Sequence, residues 1–153
     1  MDGLQRNAWW GLFATAVLTV LFGLGDVISG VANDAAVPLG IVGRTPAQLE
    51  ADGPLAYRMY DLTLRGGGLS LVMVGALMAA ILLFSFRRWE RWAWWTMWLL
   101  PAWAFAVAEG ILLIGIAPGQ EAPPPLVSGV ILGILSAAIL LVSAPRFFGD
   151  RAN

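Results

Sequence analysis

The chain has 153 residues, of which 59% are hydrophobic and 12% charged, with a formal net charge of −1. It has no cysteine, histidine or lysine, which excludes disulfides, thiol redox chemistry and thiolate metal sites and removes most familiar catalytic and cofactor-binding constellations. The near-zero charge and the lack of a basic stripe give no support for nucleic-acid binding.

The charges gather into short clusters separated by four apolar runs: Ala8 to Gly25, Gly66 to Phe86, Trp92 to Pro118 and Ala122 to Ala144. Each is long enough to cross a hydrocarbon core, which needs about 20 helical residues. The expected fold is therefore all-α, a single four-helix transmembrane bundle with helices at about 8–29, 66–87, 92–117 and 124–144. Arg6, Arg87, Arg88, Arg91, Arg146 and Arg151 fall on one side; Arg44, Arg58 and Arg65 fall on the other with Asp34, Glu50, Asp52, Asp61 and Glu121. The arginine bias puts both termini in the cytoplasm and the 30–65 segment outside. Gly30-Val31-Ala32 has the small-x-small look of a signal-peptidase site. The preceding apolar run is longer than a usual signal core and opens on Trp9-Trp10, so a spanning helix is expected instead.

In the first helix Gly11, Thr15, Thr19 and Gly23 recur every four residues, a stripe that lets another helix approach closely. Asp26 continues that stripe, pointing toward protein, or else it sits at the outer interface. In the outer segment, Thr45-Pro46-Ala47-Gln48 combines an N-cap threonine, an N1 proline and a glutamine three residues on, the start of a short helix at 46–51. A second short helix is expected at 54–65. Within it Arg58 and Arg65 flank Asp61 at ion-pair spacing. It either lies on the membrane surface or caps an outward cavity. Gly66-Gly67-Gly68 reads as a hinge before the second spanning helix, and Gly75 and Ala79 give that helix a close contact of its own.

Seven of the eight tryptophans (Trp9, Trp10, Trp89, Trp92, Trp94, Trp95 and Trp98) fall at the inferred cytoplasmic face. They read as interfacial anchors, with Trp98 and the deeper Trp103 as alternatives for an aromatic ligand platform. Pro101 is expected to kink the third helix. Gly129, Gly133 and Ala137 form a small-residue stripe in the fourth, Pro123-Pro124-Pro125 stiffens the turn before it, and Pro145 is expected to end it.

Glu109 is the only charged residue between Arg91 and Glu121. A carboxylate in hydrocarbon is expensive and marks function by default. It shares a face with Ala102, Phe105 and Ala106, which reads as a packing face, so Glu109 is expected to point into the bundle. Trp92 to Glu109 rises about 25 Å and Trp10 to Asp26 about 24 Å, placing both acids at similar depth in the outer half. The expected site is an outward-facing pocket bounded by Asp26, Glu109, Arg65 and Asp61, roofed by the Tyr57–Tyr60 helix, with Phe105, Trp98 and Trp103 as apolar ligand contacts. A buried Glu109 serving packing alone is the alternative.

Ala56-Tyr57-Arg58-Met59-Tyr60-Asp61, the glycines after Arg65, and Arg91-Trp92-Ala93-Trp94-Trp95 followed by Trp98 and Pro101 resemble a pattern in small bacterial four-helix membrane proteins. In general plan the chain is similar to the DoxX-like group. That resemblance supports the topology and implies no activity. The exclusive use of arginine suggests a GC-rich bacterial genome, hence the bacterial cytoplasmic (inner) membrane.

The leading expectation is a protein that binds a small hydrophobic or amphipathic ligand, without cofactor or metal, in a pocket polarised by Glu109 and Asp26. An enzyme would be a carboxylate-driven lipid isomerase or cyclase using the same two acids for general acid and base. An accessory subunit of a larger complex or a homo-oligomer, packing through its small-residue faces among membrane lipids, and a proton-coupled exporter complete the alternatives.

Overall fold

A computed structural model of the protein describes residues 2–149, and they form seven α-helices joined by short turns. Arg151, counted above with the cytoplasmic arginines, lies outside the described residues. Helix α1 is Asp2–Ser29, α2 Ala36–Val42, α3 Pro46–Asp52, α4 Pro54–Phe84, α5 Arg91–Met97, α6 Leu99–Ile114 and α7 Pro124–Phe148. Four spans are long and apolar enough to cross a membrane: Trp9–Ala32, Pro54–Arg88, Arg91–Ile114 and Pro124–Phe148. Their outer faces carry exposed leucine, isoleucine, valine and phenylalanine, as hydrocarbon surroundings require.

Two tight pairs build the bundle: α1 packs along α4, and α6 packs along α7, with α1 joining the pairs through α7. Small residues set both distances. A Cβ on Gly23 would lie 2.5 Å from the Gly68 carbonyl oxygen, and one on Gly68 would lie 2.7 Å from that of Gly23. Further along α4, Gly75 meets the Ala16 carbonyl and Val20. On the other pair, a Cβ on Gly129 would lie 2.8 Å from the Ala104 carbonyl oxygen, and Gly133 lies under the Phe105 ring.

The Gly66-Gly67-Gly68 hinge does not form: α4 runs unbroken from Pro54 to Phe84, so the expected 54–65 helix and the second span are one element. Glycine weakens a helix by up to about 1 kcal/mol per residue, but the helix continues on either side and Gly68 is held against α1. The third span is likewise two helices rather than one kinked helix. Pro101 has no N–H for the Met97 carbonyl and its ring crowds that turn. The chain steps through Trp98, whose backbone N–H donates to the Trp95 carbonyl at 3.2 Å. Helix α6 then stops at Ile114, where Gly115 takes a positive φ of 92°, short of the expected end at 117.

Pro145 does not end the last helix. It continues to Phe148, with the buried Phe147 ring and an Arg91 Nε donation to the Phe147 carbonyl at 3.1 Å holding the final turn. The α3 start has its capping box: Thr45 Oγ1 accepts from Gln48 N, and Gln48 Oε1 accepts from Thr45 N.

At the end of the bundle where α5 begins and α7 stops, the tryptophans split into two populations. Trp10, Trp92 and Trp95 are exposed, whereas Trp9 and Trp94 are buried in a core with Leu12, Leu82, Phe86, Met97, Leu140 and Phe147. Trp94 Nε1 donates to the Leu140 carbonyl at 2.9 Å. Arg87 lies over Trp9 at 4.7 Å and Arg146 over Trp89 at 5.2 Å, so this end is a cross-linked aromatic cluster.

Candidate functional site: a cleft between α1, α6 and α7

Because α1 and α6 both pack on α7, a gap opens between them. The resulting cleft measures about 460 Å³. Its walls come from Leu18, Thr19 and Phe22 of α1, Trp103, Ala104 and Val107 of α6, and Ser128, Gly129 and Leu132 of α7, with Leu71 of α4 behind. Thr19 turns its hydroxyl to the Thr15 carbonyl at 2.9 Å, which leaves that wall apolar.

The polar groups gather at one end: Asp26, Asn33 and Asp34. They meet because α1 ends at Ser29 and the 3-10 turn Gly30–Ala32 reverses the chain. Gly30 has φ 56°, a left-handed conformation that side chains resist. Asn33 Nδ2 then donates to Asp26 Oδ1 at 2.8 Å. Gly25 makes this fit, since a Cβ there would stand 2.6 Å from Asn33 Oδ1. Burial, and after it the negative charge of Asp26, push the Asp34 carboxyl above its ordinary range.

Of the residues expected at the site, Asp26 and Trp103 line this cleft. Glu109 does not. It is exposed on α6, and among the described residues it has no hydrogen-bond or ion-pair partner. The expectation of an inward Glu109 is thus corrected. The face of α6 that packs is Pro101, Ala104, Ala108 and Ile111, all buried, while Ala102, Phe105, Ala106 and Glu109 are exposed. Phe105 leans over Gly133 rather than into the cleft.

Asp61 and Arg65 form a structural clip. Arg65 Nε donates to Asp61 Oδ2 at 2.7 Å, and its Nη1 donates to the Val27 and Ile28 carbonyls, each at 2.8 Å. Asp61 Oδ1 accepts from Val31 N at 3.0 Å. The pair therefore satisfies free carbonyls at the end of α1 and an N–H of the turn beyond it. Tyr57 and Tyr60 line a different groove, of about 500 Å³, with Val37, Ile41 and Leu49. Trp98 sits in the aromatic cluster, its ring 5.6 Å from that of Trp94, and its buried Nε1 has no hydrogen-bond partner among the described residues.

Asn33 and Gly25 are cleft-end residues that composition and periodicity do not single out, and Asp34 counts in the sequence only as one more charge outside the spans. The signal is the chain reversal at Gly30. Among the described residues no group of three or more His, Cys, Asp or Glu comes together as a metal site would require. Comparison of the chain with family models, curated proteins and solved structures returns no match.

Proposed function

We propose that the protein is a multi-pass protein of the bacterial cytoplasmic membrane that binds an amphipathic molecule in the cleft between α1, α6 and α7. The observation that carries this reading is the cleft itself: apolar walls with Phe22 and Trp103, and at one end two carboxylates and a carboxamide. Such a site favours a ligand with an apolar body and a cationic or hydrogen-bond-donating head. The arginine bias of the sequence, with both termini in the cytoplasm, turns the acidic end of the cleft outward.

The polar pair is Asp26 and Asp34, replacing the expected pair of Asp26 and Glu109. A second reading, an acid–base isomerase for an apolar substrate, draws on one observation: Asp34 is raised by burial beside a second carboxyl, the arrangement that separates acid from base roles. Binding is the reading preferred, because it needs only the cleft.

The direct test is mass spectrometry of small molecules that copurify with the protein in mild detergent. The wild type is expected to carry a species that Ser128→Trp, which fills the cleft, loses. Equal recovery from both would remove the proposal.

A further inference from the structure

We infer that the exposed face of α6 is the contact surface for a second copy of this chain, with Glu109 of each copy paired across the two-fold axis. That face lies outside the cleft. Trp103 and Val107 face the cleft, and Glu109, two residues beyond Val107, lies about 200° round the helix from it at 3.6 residues per turn.

Leu99, Ala102, Ala106, Glu109 and Leu113 follow one another at spacings of three, four, three and four residues, the pattern of a helix–helix seam. All five are exposed, Leu99 at 61% and Leu113 at 81%. The seam runs nearly the whole of α6, large residues at its ends and alanines between, so a facing backbone can approach closely at its middle. Gly110 borders it, with nothing within 4 Å of where its Cβ would stand.

Glu109 decides the occupant. A carboxyl facing lipid without a partner is costly, and among the described residues no side chain of its own chain supplies one. The chain has no lysine or histidine, and its arginines lie outside the 92–145 stretch. A second copy nevertheless supplies a match. In a two-fold dimer with its axis along the membrane normal, the two α6 helices run parallel and every residue meets its own counterpart at the same depth. The two Glu109 side chains then meet across the axis and are joined by a hydrogen bond between carboxyls. A carboxyl is both donor and acceptor, so the contact is self-complementary, and a single polar pair in such a seam fixes its register.

The absence of cysteine gives a clean test. Ala106→Cys and Leu113→Cys on the seam are compared with Leu77→Cys on α4 and Leu135→Cys on α7, both exposed, in native membranes under mild oxidation. Disulfide-linked dimer is expected at the seam positions and not at the controls. No linkage at the seam, equal linkage everywhere, or linkage only to a protein of another mass overturns the proposal. Native mass spectrometry from nanodiscs tests the carboxyl itself: Glu109→Gln, which keeps a donor and an acceptor, should stay dimeric, and Glu109→Leu should become monomeric. A dimeric Glu109→Leu would show that the carboxyl pair does not hold the seam.

Discussion

Asp61 and Arg65, one helical turn apart on α4, are joined at 2.7 Å and together close the end of α1, with Arg65 reaching carbonyls 37 and 38 residues upstream. Ion pairs at this spacing on an open helix surface contribute little by themselves. Here each partner also holds backbone groups of another element, and the reversal at Gly30 depends on both. Gly30 is central to the clip: it has φ 56°, and its Cβ would fall on Asp61 Oδ1. Gly30→Ala is therefore expected to lower stability by about 1–3 kcal/mol from the backbone conformation alone, with a further loss from displacing Asp61. Arg65→Met should lower the melting temperature in detergent and expose the 30–35 segment to protease. Unchanged melting in both variants would show that the clip does not hold α1 to α4.

The triple glycine of α4 is expected to behave non-uniformly. Gly66 and Gly67 have nothing within 4 Å of where a Cβ would stand, whereas Gly68 is pressed against the Gly23 carbonyl and Asp26. Gly66→Ala and Gly67→Ala should raise stability by about 0.5–1 kcal/mol through helix preference. Gly68→Ala should destabilise, because backbone rather than a flexible side chain must move. Thermal unfolding of the three variants in one detergent checks the order.

The indoles of Trp94, on α5, and Trp98, just beyond its end, should separate in the same way. Trp94 Nε1 donates to the Leu140 carbonyl, while Trp98 Nε1 and Ser136 Oγ are buried without hydrogen-bond partners among the described residues. Trp94→Phe is expected to cost about 1 kcal/mol for the lost hydrogen bond, beyond any change in packing. Ser136→Ala is expected to stabilise by about 1–3 kcal/mol, the penalty of leaving a buried polar group unmatched. A destabilised Ser136→Ala would mean that its hydroxyl has a partner in the folded protein.

The Asp34 carboxyl makes stability depend on pH with a sign opposite to that of a salt-bridged acid. Its folded value lies above the ordinary 3.8 because burial, then Asp26, disfavour its charge. Between the ordinary and the raised value the folded state binds more protons than the unfolded state, so stability falls as pH rises through that window. It is level below the window, where both states are protonated, and level again above it. Melting temperature against pH should lose this fall in Asp34→Asn, which should also be the more stable protein at neutral pH. An unchanged profile would place the pH dependence elsewhere.

The four long helices are legible in the sequence because apolar runs of spanning length leave the chain no other satisfactory arrangement in lipid. The Thr45 cap is legible because its chemistry is local. The orientation of α6 is not. Its alanines at positions 102, 104, 106 and 108 lie on both faces, so small size alone does not choose a packing side. The choice comes from α7, whose Gly129 receives Ala104 and Ala108. The i, i+4 relation of Asp61 and Arg65 is visible in sequence, but their carbonyl and N–H partners are brought within reach only by the turn at Gly30. The same turn brings Asp34 to Asp26 at the cleft, whereas Glu109 faces away because α6 packs on α7 through Ala104 and Ala108.

Whether the cleft holds an amphipathic cation at Asp26 and Asp34 is decided by equilibrium dialysis of tetraphenylphosphonium against the protein in nanodiscs. Saturable binding is expected, weakened about tenfold or more in Asp26→Asn/Asp34→Asn. Tenfold corresponds to about 1.4 kcal/mol, a modest value for losing charge complementarity in a partly buried site. Binding should be lost in Ser128→Trp and unchanged in Glu109→Gln. If binding survives both cleft variants, or disappears with Glu109→Gln, the cleft is not the binding site.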